Sequence, residues 1–251
     1  MSPPPAAPTR SVQEFRPRAE RRAVVVDAGI GNLGNLVRAL QRLDAAAEVT
    51  GDPRAVAASR CLLLPGVGAF APPREVLRGA LEEALRTALQ GGAWLLGICV
   101  GFQLLFEAGE EFGETDGLGL LPGRVTRLPS GVPVPHIGWN RLHDLASHPL
   151  LAGLATAGPE RRRSAQSAAP RQGACEVSGA GRYVYFVHSY APEGVPEECC
   201  LAQATHGRAF AAVAGSGRVF GTQFHPERSG ETGLRLLENF LEMAHGPVAG
   251  A

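Results

Sequence analysis

Two short segments hold residue types that could carry out covalent chemistry together. In Gly97-Ile98-Cys99-Val100-Gly101, a buried-type apolar run passes directly into a helical pattern, with a cysteine at the junction. Glycines two residues to either side permit a turn too tight for larger side chains. Such a turn lifts the thiol above the end of a sheet and aims the free N–H groups of the following helix at the sulfur, which favours a thiolate nucleophile. The Val100 N–H would then face a developing oxyanion. The alternative is a small buried residue between two packing glycines. Late in the chain, His225-Pro226-Glu227 closes the apolar run Val219–Phe224. Pro226 ends that run and sets the local path. A carboxylate two residues from an imidazole can turn back to it, fix its tautomer and stabilise its cation. Alone, His-Pro-Glu is a weak motif. Paired with the cysteine turn, it predicts a triad of Cys99 as nucleophile, His225 as base and Glu227 as its orienter.

Pro65-Gly66-Val67-Gly68 follows another apolar run at the same expected sheet edge. Glycines there let backbone amides turn toward a ligand, so this segment predicts a second oxyanion donor; an ordinary strand-to-loop turn is the alternative. Gly29-Ile30-Gly31-Asn32 is no dinucleotide fingerprint, because Gly34 comes one position early. His136 and His188 border strand segments and fit either a site role or a satisfied structural one. His143, His148, His206 and His245 read as surface or loop residues. Cys61, Cys175, Cys199 and Cys200 read as inert.

The elements that must position these groups alternate. Ala23–Asp27, Cys61–Leu64 and Ala93–Gly97 are short continuous apolar runs, as buried parallel strands require. Between them, Leu33, Leu36, Val37, Leu40 and Leu43 recur at helical spacing. Val76, Ala80, Leu81, Ala84, Leu85 and Ala88 predict one longer helix, opened by Pro72 and Pro73 and stopped by Gly91-Gly92. This order predicts a parallel α/β sheet for the N-terminal half. The second half is richer in strands: Val125–Leu128, Ile137–Leu142, Tyr183–His188, Cys199–Ala204, Ala209–Val213 and Val219–Phe224. A last helix starts near Ser229, with Leu234, Leu237, Leu241 and Ala244 as its apolar stripe. Residues 1–22, with several Pro and five Arg, predict a disordered extension ahead of one domain over 23–246. Residues 155–182 lack periodicity and read as a mobile insertion, and 247–251 as a tail.

Composition closes off whole classes of chemistry. The 251 residues balance 24 basic against 24 acidic side chains, so nothing points to nucleic acid. Every basic residue is Arg. The missing Lys excludes a P-loop lysine, a Schiff base and a Ser-x-x-Lys hydrolase. Five cysteines with no Cys-x-x-Cys pair suggest neither metal nor disulfide framework, and a reducing cytoplasm is the simple reading. The longest apolar run, Ala93–Phe106, carries two Gly and Gln103 and is too short for a membrane span.

Gly97-Ile98-Cys99-Val100-Gly101-Phe102-Gln103 with His225-Pro226-Glu227 resembles the class I (triad) glutamine amidotransferases. Asp27-Ala28-Gly29-Ile30-Gly31-Asn32, Pro135-His136-Ile137-Gly138-Trp139-Asn140 and Tyr185-Phe186-Val187-His188-Ser189-Tyr190 narrow the likeness to the glutaminase subunits of imidazole glycerol phosphate synthases. The resemblance runs from about residue 22 to 246. It implies an α/β fold, flavodoxin- or Rossmann-like, with a mixed sheet flanked by helices, and no cofactor. It implies glutamine hydrolysis through Cys99, His225 and Glu227, with oxyanion amides at Val67, Gly68 and Val100. Gln103 and Glu111 would hold the amino-acid end of glutamine, and His188, Ser189 and Tyr190 would line that pocket. Ammonia would pass to a (β/α)8 cyclase subunit in a heterodimer, contacted by Asn32, Asn35, Trp139 and Arg228. Ala28 stands where the family often has an aromatic residue, and Arg228 where it usually has Lys. Three rivals share parts of the pattern: a different class I glutaminase, a scaffold subunit without activity, and a cysteine peptidase or esterase.

Overall fold

The computed structural model describes residues 21–29, 31, 33–154 and 183–246. Asn32, Cys175, the expected insertion 155–182, the tail 247–251 and residues 1–20 of the expected extension lie outside them.

The predicted parallel half is present. Strands β1 (Arg22–Val26), β3 (Cys61–Gly66) and β4 (Trp94–Cys99) form the centre of a seven-stranded sheet. Their continuous apolar runs follow from burial on both faces: Val25, Val26, Leu62, Leu63, Leu64, Leu95 and Leu96 have essentially no exposure. Helix α1 (Leu33–Arg42) connects β1 to β2 (Ala46–Thr50), which pairs parallel to β1 at the sheet edge. A short α2 (Pro53–Ala58) follows, capped by the Asp52 carboxylate, which accepts from the Arg54 N–H at 3.0 Å. Arg22, expected in the N-terminal extension, is the first residue of β1, and Arg21 is buried.

The single long helix expected after β3 is two helices, α3 (Ala71–Leu77) and α4 (Ala80–Gln90). Gly79, at φ 81°, breaks the run, and Val76 points outward at 49% exposure rather than into the apolar face. The chain then runs through β4 into a one-turn helix α5 (Val100–Gln103) and two short strands, β5 (Ala108–Gly109) and β6 (Thr115–Asp116).

The second half supplies β7 (Arg124–Arg127), β8 (His136–Arg141), β9 (Tyr183–His188), β10 (Tyr190–Glu193), β11 (Cys200–His206), β12 (Arg208–Ser216), β13 (Val219–Thr222) and the final helix α6 (Gly230–His245). The main sheet runs β11-β12-β13-β4-β3-β1-β2. Strand β13 pairs parallel to β4 on one side and antiparallel to β12 on the other, which makes the sheet mixed. Helix α6 packs on β3 and β4. Strands β10, β7, β5 and β6 form a small second sheet, and β8 pairs antiparallel with β9. No described helix is long and apolar enough to cross a membrane.

Candidate active site

The sheet sets the site's spacing. In the parallel ladder, Thr222 at the end of β13 registers with Ile98, and Gly66 at the end of β3 registers with Cys99. The segments after these strands emerge side by side at one edge. Cys99 sits there at φ 55°, ψ −110°, a backbone state costly for any side chain larger than glycine. The flanking glycines explain how the turn closes. A Cβ on Gly97 would lie 2.7 Å from the Gly101 carbonyl oxygen and from the Phe102 Cα. The strained backbone is therefore clamped from both sides, as a nucleophile elbow requires.

His225 and Glu227 meet the same edge. His225 Nδ1 lies 2.9 Å from Glu227 Oε1, and both side chains are 4% exposed. Their loop is held by its own backbone. The His225 N–H donates to the Tyr185 carbonyl at 3.0 Å, and the Ser229 hydroxyl donates to the His225 carbonyl at 2.6 Å while accepting the Tyr185 N–H at 2.9 Å. His225 Nε2 is buried without a hydrogen-bond partner among the described residues. Burial alone would lower the imidazole pKa. The neighbouring Cys99 sulfur and the Glu227 carboxylate outweigh that burial and raise it to about 10. By contrast, burial pushes the Cys61 thiol up to about 12, in keeping with an inert residue.

A cavity of about 220 Å³ opens over Cys99 and His225. It is lined by Val67, Gly68 and Val100 on the side of the expected oxyanion amides. Gln103, Glu111, His188, Ser189 and Tyr190 line it too, so the expected oxyanion and pocket residues converge on one space. Gln103 is buried, and its Nε2 donates to the Tyr190 carbonyl at 2.9 Å and to Gln223 Oε1 at 3.1 Å. Glu111 accepts the Phe70 N–H at 2.9 Å. Gln223 was missed by reading along the chain. It is fully buried, and its Nε2 lies 3.9 Å from Cys99 Sγ, so it backs two of the cavity's lining residues, Cys99 and Gln103.

Of the expected interface residues, Asn32 lies outside the described residues, while Trp139 and Arg228 both meet Tyr185. Trp139 and its registered partner Tyr185 stand edge to face at 6.1 Å, and the Arg228 guanidinium sits 4.1 Å over the Tyr185 ring. Trp139 is 57% exposed, which rules out core packing for it. Ile137 and Tyr183 are exposed on the same ladder. Asn35 lies on α1, which packs against the turn Pro226–Arg228. His206, expected at the surface, ends β11 and stacks on His136 at 4.1 Å. Among the described residues, no group of three or more His, Cys, Asp or Glu is placed to hold a metal ion.

The chain matches the glutamine amidotransferase class-I family model over residues 24–244. It is 43% identical to the imidazole glycerol phosphate synthase subunit HisH of Symbiobacterium thermophilum, over 88% of this chain and 94% of that one. It is 40% identical to the same subunit of Salinibacter ruber, over 90% and 96%. A crystal structure of a glutamine amidotransferase shares the fold with a TM-score of 0.63 at 21% identity, covering 88% of this chain and 98% of the other.

Proposed function

Because the chain belongs to the class-I glutamine amidotransferase family, we propose that it hydrolyses glutamine to glutamate and ammonia and delivers the ammonia to a (β/α)8 cyclase subunit that makes imidazole glycerol phosphate in histidine biosynthesis. The observation that carries the reading is the buried His225–Glu227 pair beside a strained cysteine elbow, on segments leaving neighbouring strands of one sheet.

The steps follow from that arrangement. Cys99 Sγ attacks the side-chain carbonyl carbon of glutamine, and the carbonyl electrons move to oxygen. The amides of Val67, Gly68 and Val100 are the donors for that oxyanion. The intermediate collapses, the C–N bond breaks, and His225 Nε2 gives its proton to the departing ammonia. A thioester to Cys99 remains. Water attacks it while His225 takes a proton, the C–S bond breaks, and glutamate leaves with the thiolate restored. Glu227 holds Nδ1–H throughout, so Nε2 stays the nitrogen that faces the reaction. Gln103 and Glu111 hold the amino-acid end of the substrate, with the strand His188-Ser189-Tyr190 as the pocket wall.

The exposed ladder bearing Ile137, Trp139 and Tyr183, with Arg228 stacked at its side, supports a partner face there. Asn35, on the helix packed against Pro226–Arg228, is taken as part of that face. The experiment is glutamate release from glutamine by the purified chain, alone and with the cyclase subunit and its nucleotide ligand. Low release alone and a large rise in the loaded complex are expected. Equal release in both would keep the hydrolysis and remove the partner. In the complex, Cys99→Ala should abolish glutamine-dependent product and leave ammonia-dependent product intact. Loss of both would overturn this division of labour.

A further inference from the structure

A line of polar groups on the inner face of the β8–β9 ladder leads from Asn140 to the cavity. Asn140 Oδ1 accepts the Arg141 N–H at 2.7 Å, which identifies the other end of the amide as nitrogen. That Nδ2 lies 3.0 Å from the Thr205 carbonyl and 3.2 Å from His136 Nε2. An amide nitrogen can only donate, so His136 Nε2 accepts and the ring's proton is on Nδ1. His136 Nδ1 lies 2.9 Å from His188 Nε2, which therefore also accepts. The His188 proton is then on Nδ1, 2.9 Å from the Tyr190 carbonyl, which has no proton to offer. Both ends of the line force the same direction, and each ring has one permitted tautomer.

The line continues into the substrate pocket. The Tyr190 carbonyl takes a second donor, Gln103 Nε2, whose remaining hydrogen goes to Gln223 Oε1. Both donors of the Gln103 amide are thus spent on protein groups. Only its oxygen is left to offer a ligand in the cavity it lines.

We propose that His136 is a positioning residue for the substrate amine. With Asn140 it locks His188 in the Nδ1–H tautomer, which holds the Tyr190 carbonyl, and through it the Gln103 amide, with the oxygen as the acceptor for the ammonium group of glutamine. This rests on the glutaminase reading. Burial lowers the pKa of His136 to about 4 and of His188 to about 3, so both rings stay neutral near pH 7, as a directional line of single protons requires. His136 is itself buried, stacked on Phe186 at 4.8 Å as well as on His206, so a purely packing role is the competing explanation.

Two measurements on the full chain separate these. Nitrogen NMR of the histidine-labelled protein should show His136 and His188 both as neutral Nδ1–H rings; a proton on Nε2 of either overturns the proposal. The second follows Cys99 alkylation by a chloroketone analogue of glutamine, with iodoacetamide as a reagent that needs no amine site. His136→Leu keeps bulk and removes the donor. It should raise the half-saturating analogue concentration by about tenfold, the scale of one lost buried hydrogen bond, while the limiting rate and the iodoacetamide rate stay unchanged. His136→Asn places an amide N–H where Nδ1 was and should restore most of the affinity. Equal behaviour of the Leu and Asn variants means packing and sinks the proposal. If the wild-type chain shows no saturation with the analogue, the glutaminase reading fails, and the proposal fails with it; the ring-nitrogen signals then still decide the tautomers.

Discussion

The α-carbon of Gly101 faces the carbonyl of Leu64 so closely that an added Cβ would stand 1.7 Å from that oxygen. Leu64 belongs to a central strand bonded on both sides, so it cannot retreat. Gly101→Ala is therefore expected to cost about 3 kcal/mol and to lower Tm by roughly 10 °C for a chain of this size. Thermal unfolding of the variant checks it, and an unchanged Tm would mean that the elbow is not clamped as described.

His225 is predicted to stay protonated far into the alkaline range. Burial pulls its pKa down from 6.5, but Cys99 and Glu227 raise it to about 10. The folded value exceeds the unfolded one. The pair's contribution to stability is thus complete below about pH 6.5 and disappears as pH rises through about 10. In Cys99→Ala the ring loses one of its two supports and titrates lower. A proton NMR titration of His225 in both proteins measures this, and identical curves would show that Cys99 has no part in holding the proton.

The opposite slope is expected in acid. His136 and His188 have folded values of about 4 and about 3, each lowered first by burial. Their neutral burial stabilises the fold above about pH 6.5, and that stability is lost as pH falls through the folded values. Urea midpoints measured at falling pH should decline over this window. His136→Asn, which cannot charge, should flatten the decline. A decline equally steep in the variant would assign it to carboxylates instead.

Arg228 is exposed and spreads its guanidinium over Tyr185 beside Trp139. Arg228→Ala is expected to weaken association with the barrel subunit by about tenfold or more, the scale of an interface anchor. Tm of the isolated chain should barely move, because an exposed stacking contact adds little to stability. Titration of labelled variant against the cyclase subunit reads this directly, and unaltered affinity would remove Arg228 from the interface.

Cys99 and the His225–Glu227 pair stand out along the chain because their signals are local. Gly-x-Cys-x-Gly records a steric demand within five residues, and His-Pro-Glu a hydrogen bond across two. Gln223 and Asn140 carry no such signal. Gln223 matters through Gln103 and Cys99, both more than a hundred positions away, and an amide side chain has no characteristic spacing. The broken helix was hidden for a related reason. Its apolar positions keep helical spacing across the gap, and only the positive φ of Gly79 divides them. Strand β2 escaped notice because an edge strand with the pattern Ala-Ala-Glu-Val-Thr buries little and so lacks an apolar run.

Strand β13 is made late in the chain, yet it occupies an interior place in the sheet, between β12 and β4. The thiol is synthesised long before the imidazole that must serve it. A growing polypeptide on the ribosome holds Cys99 with no base beside it until the last strand slots in. The Cys99 thiol and the His225–Glu227 pair therefore come together only after β13 has filled the gap between β12 and β4, and a chain that stops short of it lacks half of the proposed site.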